Sequence, residues 1–196
     1  IFICHQSKLW RATTFLDLDG AIFGEEQTLA HGIVPSSSPQ GLVSAGTMPG
    51  QPVPAGTFGH LVVPAQTVPN HQYISAYYLT FDHWYHLDST VSGGGDGTWV
   101  EYRLQSGSSW GNWSYIEPQG GYPSTLSTDA PIPSGASSPV PVFASDSHSG
   151  WVTSNFSLSS LPGIDQADNI QFRFVIWTHP DSTNERPGWF IDNIET

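Results

Sequence analysis

Three aspartates and two tryptophans are the residues whose types and spacing point to binding chemistry. Asp17-Leu18-Asp19-Gly20 places two carboxylates near the start of the chain, and Asp192 places a third near its end. Calcium takes about six to eight oxygens from carboxylates, carbonyls and water, in irregular geometry. If the terminal strands pair, Asp17 and Asp192 meet, and with Asp19 they supply the carboxylates of a structural Ca2+ site. The plainer alternative leaves Asp17 and Asp19 facing solvent before a turn at Gly20. An EF-hand loop is absent, because no Glu closes the required Asp spacing. Trp110 and Trp113 flank a Gly-Asn turn. Indole faces stack on the C–H faces of sugars, so this pair is the candidate glycan-binding surface.

Other constellations carry less. Gly107-Ser108-Ser109-Trp110-Gly111 fits the G-x-S-x-G pattern, but a nucleophilic serine there needs a strand-to-helix elbow. The following Asn112-Trp113-Ser114-Tyr115 reads as β, so a hairpin is expected. Glu101 and Glu117 form a conceivable glycosidase pair, yet Glu101 on an alternating strand reads as an exposed carboxylate. His83 and His86 fall on opposite faces of a strand and cannot chelate one metal. No HExxH or Cys/His cluster occurs. These readings favour a protein that is not an enzyme.

The elements that position these residues are strands. Leu79, Phe81, His83 and Tyr85 fall on one face of the segment 78–85, and Tyr78, Thr80, Asp82 and Trp84 on the other. Ile170, Phe172, Phe174 and Ile176 alternate with Gln171, Arg173 and Val175, the period of a strand with one buried face. Further strands are expected at 60–63, 98–104, 113–116, 150–158 and 188–194, separated by Gly-rich turns. Trp84, Trp99, Trp151, Trp177 and Trp189 lie in strands, where packing is the default for a large ring. Residues 35–59 and 118–149, rich in Pro, Gly and Ser, are expected to form two long loops at the ends of the sheets or over one face. No segment shows a helical period. The expectation is one all-β domain over 1–196, a two-sheet antiparallel jelly-roll sandwich with long loops.

Composition narrows the function. The 196 residues carry 17 Asp plus Glu against five Lys plus Arg, a net charge of −12. Such a surface repels phosphate backbones, so nucleic acid is excluded as a partner. No apolar run is long enough to insert in a membrane. Cys4 is the single cysteine, which rules out an internal disulfide. Its apolar setting predicts burial. Asn112-Trp113-Ser114 and Asn155-Phe156-Ser157 are N-glycosylation sequons, consistent with an extracellular chain. The chain opens without Met, so it is expected to be processed or excised from something longer.

The ordered series Tyr78–Tyr85, Asp96-Gly97-Thr98-Trp99-Val100-Glu101, Gly150-Trp151-Val152-Thr153 with Phe156-Ser157-Leu158-Ser159, Ile170–Phe174 and Gly188–Ile194 resembles the MAM-like and cleaved-adhesin group of jelly-roll domains. These domains occur on cell-surface proteins and as accessory domains of secreted proteases. The resemblance implies an extracellular, non-catalytic module for adhesion or ligand binding, with a glycan or a surface protein as partner. Two alternatives stand beside it. One is an accessory domain of a secreted protease. The other is a structural subunit of an extracellular filament that assembles with copies of itself. In the latter, the apolar Ile1, Phe2 and Ile3 add as a strand to a neighbour's sheet edge.

Overall fold

The computed structural model describes residues 23–27, 43–47, 52–69, 77–88, 95–126, 129–145, 150–183 and 186–196. Ile1, Phe2, Ile3, Cys4, Asp17 and Asp19 lie outside them. The described chain is all-β, with one short 3-10 turn at Ile164–Gln166. Its strands are β1 (Phe23–Gln27), β2 (Val43–Thr47), β3 (Phe58–Val62), β4 (Gln66–Thr67), β5 (Tyr78–His86), β6 (Gly97–Ser106) and β7 (Ser109–Trp110). They continue with β8 (Ser114–Ile116), β9 (Ser124–Thr125), β10 (Pro141–Val142), β11 (Val152–Ser157), β12 (Asn169–Trp177) and β13 (Gly188–Glu195). Among the described residues no helix is long and apolar enough to cross a membrane.

One antiparallel sheet runs in the order β1-β2-β13-β5-β11. The other runs β3-β12-β6-β7, with β8 also on β6 and β4 on β12. Period-2 patterning explains how they pack. In β12, Ile170, Phe172, Phe174 and Ile176 are fully buried, while Gln171 and Arg173 are half-buried. In β5, Leu79, Phe81, His83 and Tyr85 turn inward, as the alternation predicts. The inward rings meet between the sheets: Phe81 stands edge-on to Phe174 at 5.0 Å, and Phe174 to Trp189 of β13 at 5.6 Å. His83 is part of this core. Its Nδ1 accepts the Trp189 indole N–H at 3.1 Å, which leaves Nε2 to donate to Ser154 Oγ at 2.9 Å. A buried imidazole with both nitrogens used this way is neutral packing material.

The two Pro-rich segments are more structured than their composition implies. The stretch 35–59 contains β2, whose Gly46 and Ala45 pair with Phe190 and Ile191 of β13. Described residues between 118 and 145 cover part of the outer face of the β6–β12 sheet as a third layer, while Phe143 among them reaches the core between the sheets. Leu126, Val140 and Val142 pack there with Trp99, Val175 and Trp177 in a second apolar cluster. The layer approaches so closely that a Cβ at Gly97 would come within 2.6 Å of both Leu126 and Val142. The backbone of the segment is satisfied as well: Thr98 and Phe143 exchange N–H···O bonds of 3.0 and 2.9 Å, and Tyr115 N–H reaches Ser134 O at 2.8 Å. Buried polar backbone must find such partners.

Candidate functional site

The serine motif is a hairpin. Ser106 pairs with Ser109 across the two-residue turn Gly107-Ser108, and Gly107 takes φ +60°, the left-handed conformation that such turns need. Beyond it the strand is irregular. Trp110 pairs with Gln105 and Ser114 with Tyr102, so Gly111, Asn112 and Trp113 face only Arg103 and Leu104. One extra residue makes this a β-bulge. The bulge has a consequence for the tryptophans. Residues three apart on a regular strand point to opposite faces, but here Trp110 and Trp113 both meet Arg103, whose guanidinium carbon lies 4.8 and 4.5 Å from their ring centroids. Arg173 lies 4.7 Å from the Trp113 centroid.

These contacts extend into a ladder across the sheet. Arg173 Nε and Nη2 donate to Glu101 Oε2 at 2.8 and 2.5 Å, and Trp99 Nε1 donates to Glu101 Oε1 at 2.7 Å. Arg103 Nε and Nη2 donate to Gln171 Oε1 at 2.9 and 2.6 Å. Glu101 is therefore buried, not exposed as its alternation implied, because Arg173 on the neighbouring strand meets its charge. The two tryptophans do come together, with one cation shared between their half-buried rings.

Asp192 lies on β13 directly opposite Asp82 of β5. Asp82 Oδ2 accepts from Asn193 Nδ2 at 2.6 Å and Oδ1 from Thr153 Oγ1 at 2.5 Å; Asp192 Oδ1 accepts the Asn193 N–H at 2.9 Å. Asn193 adopts φ +50°, and the β5–β13 register shifts between Asp192 and Glu195. Asp82 was missed in the sequence because only strand pairing brings it beside Asp192. Among the described residues no group of three or more His, Cys, Asp or Glu is arranged to hold a metal ion. The expected partners Asp17 and Asp19 lie outside those residues.

A cleft of about 690 Å³ opens between β8, the segment after it, the end of β11 and the turn at 160–162. Its lining residues include Ser114, Ser157, Ser160, Gln119 and Glu117, with Pro118, Leu161 and Pro162. Among the described residues no Lys, Arg or His lines it. Gln119 N–H bonds Asn155 O at 2.7 Å and so ties the cleft wall to β11. The volume suits a small ligand site, typically about 300–1,000 Å³. Sequence reading missed this cleft because its serines and prolines come from two separate segments, 114–118 and 157–162, of unremarkable composition. The chain matches no protein-family model and no curated relative.

A buried polar cluster was also missed. Asp88 and Asp96, on either side of the glycine-rich stretch in sequence, are both buried. Asp96 Oδ1 accepts His179 N–H at 2.9 Å and Oδ2 accepts Asp88 N–H at 3.2 Å, while Ser182 Oγ donates to Asp88 Oδ2 at 3.0 Å. His179 accepts Asp181 N–H on Nδ1 at 3.0 Å and pairs through Nε2 with Asp129 at 3.2 Å. Burial pushes the Asp96 carboxyl from the ordinary 3.8 up to about 6, against the two N–H bonds and with a smaller push from Asp88. The folded protein thus holds this proton more tightly than the unfolded chain does. The resulting stabilisation is complete below about pH 3.8 and is lost as pH rises through about 6, a change of roughly 3 kcal/mol. Urea midpoints measured across this range should fall with rising pH in the wild type and lose that slope in Asp96→Asn. Parallel profiles would remove Asp96 as the cause.

Proposed function

We propose that this chain is an extracellular, non-catalytic jelly-roll module that binds a neutral, hydroxyl-rich ligand, a glycan, in adhesion. The cleft carries this reading. Hydroxyl, amide and carboxylate groups beside proline and leucine surface match a sugar's mixture of hydroxyls and apolar C–H faces. The absence of cationic side chains from its lining, in a chain of net charge −12, argues against a phosphate or sulfate ligand. Calcium belongs to the same proposal as a stabiliser. Asp82 and Asp192 set two carboxylates at directly facing positions, where Asn193 donates to both and a cation would add to that support. In this reading Asp17 and Asp19 complete the oxygen shell.

A neutral-glycan array followed by calorimetry tests the proposal. The wild type is expected to retain a neutral glycan. Ser160→Trp, which fills the cleft, should abolish retention. Gln119→Ala should weaken it about tenfold, the worth of one hydrogen bond. Trp110→Ala should leave it within about twofold. The calcium component predicts that chelator weakens binding by the wild type but not by Asp192→Asn. Failure to retain any neutral glycan, or loss with Trp110→Ala but not with Ser160→Trp, would overturn the cleft as the binding site.

A further inference from the structure

We propose that Asn112 is the acceptor of an N-linked glycan whose first sugar packs on the Trp110 ring. The proposal rests on the extracellular reading above, since the modification needs passage through a secretory compartment. Two sequons compete, and the fold separates them. Asn155 sits within β11, paired backbone to backbone with Thr80 of β5. Its Oδ1 accepts the Thr80 hydroxyl at 2.8 Å, and its main-chain carbonyl accepts Gln119 N–H. Glycosylating it means prying a carboxamide out of a cross-strand contact. Asn112 is exposed at the bulge, where three residues face two. Among the described residues no hydrogen bond holds its carboxamide. The extra residue leaves Asn112 and Trp113 outside the regular ladder, so only Ser114 of this sequon is strand-paired, whereas all of Asn155-Phe156-Ser157 is.

Trp110 supplies the second observation. It precedes Asn112 by two residues, and Gly111 N–H still bonds Leu104 O at 2.8 Å, so regular pairing runs through Gly111 and sends both side chains to the same side before the bulge. Arg103 packs against its ring at 4.8 Å and holds the half-exposed indole in place. An N-acetylhexosamine on Asn112 can lay its C–H face over the ring area left open. In the reaction, Asn112 Nδ2 attacks C1 of a lipid-pyrophosphate-linked oligosaccharide. The N–C1 bond forms as the C1–O bond breaks, the lipid pyrophosphate leaves, and the Nδ2 proton passes to a base of the transferase.

The test is secretion of the chain from a glycosylating eukaryotic host. Glycan removal by peptide N-glycosidase in heavy-oxygen water, followed by peptide mass spectrometry, then marks the occupied asparagine. Label is expected at Asn112 and not at Asn155. The glycosylated wild type should have a roughly fivefold lower unfolding constant than unglycosylated chain made in a bacterial cytosol, which keeps Asn112. Trp110→Ala should erase that difference, and Trp110→Phe should keep most of it. A bare Asn112 in a host that glycosylates a co-secreted control overturns the proposal, as does label at Asn155 alone. A stability difference that survives Trp110→Ala overturns the packing on Trp110. Glycan-array binding by unglycosylated chain made in a bacterial cytosol reports on the cleft independently, so the two proposals fail separately.

Discussion

Arg173→Ala is expected to lower the unfolding free energy by about 3–5 kcal/mol, the cost of leaving one member of a buried ion pair alone. The Glu101 side chain is 3% exposed and that of Arg173 is 21% exposed, so solvent screens the pair poorly. Both Arg173 bonds go to Glu101 Oε2, and the only other partner of the carboxylate in the ladder is the Trp99 indole. Removing the guanidinium strands a carboxylate between the β6–β12 sheet and the layer over it. It also removes a cation from the Trp113 ring. Removing both charges together should be much milder. The double variant Glu101→Gln, Arg173→Ala is therefore expected to lie closer to wild type than Arg173→Ala does, with a coupling energy of at least about 1 kcal/mol. Urea unfolding of the four proteins of the cycle measures this. A loss below about 1 kcal/mol in Arg173→Ala would mean that the pair behaves like an exposed one.

Gly188→Ala is expected to cost at least about 3 kcal/mol, the sum of a backbone penalty, a clash and a broken buried hydrogen bond. Gly188 opens β13 with φ +93°, a conformation side-chain-bearing residues rarely adopt. A methyl group there would collide with Thr47 Oγ1 and come within 2.6 Å of Val53 Cγ2. Thr47 cannot move freely, because its hydroxyl accepts the buried Trp189 N–H at 2.9 Å and donates to Pro187 O at 3.3 Å. Displacing it orphans that N–H beside the most buried indole of the core. Adding Thr47→Ala should relieve the clash but not the backbone penalty or the lost hydrogen bond, so rescue is expected to be partial. Thermal melts of the single and double variants check this. A Gly188→Ala protein that melts with the wild type would show that β13 can start in another conformation.

The sequence by itself determined the local half of this architecture. Alternation in 78–85 and 170–177 told which residues turn inward, because a strand's side chains switch faces at every residue whatever lies beside it. It also placed five tryptophans in strands of the core: Trp84, Trp99, Trp177 and Trp189 are buried there, whereas Trp151 lies just before β11 and is only partly buried. A hairpin in the stretch Gly107–Asn112 was legible from turn chemistry, and strand pairing narrows its turn to Gly107-Ser108. Tertiary structure decided which strands are neighbours, and the site residues depend on that choice. Asp192 meets Asp82 only because β13 inserts between β2 and β5. Glu101 is buried because Arg173, 72 residues later, arrives opposite it. Trp110 and Trp113 share a face because a bulge adds one residue, which the residue types do not announce. The segment 118–145 reads as loop by composition, yet a handful of apolar residues in it suffice to cover a sheet face that needs covering. Periodicity is set residue by residue, whereas pairing between distant strands is set by which whole arrangement buries the most apolar surface with its polar groups satisfied.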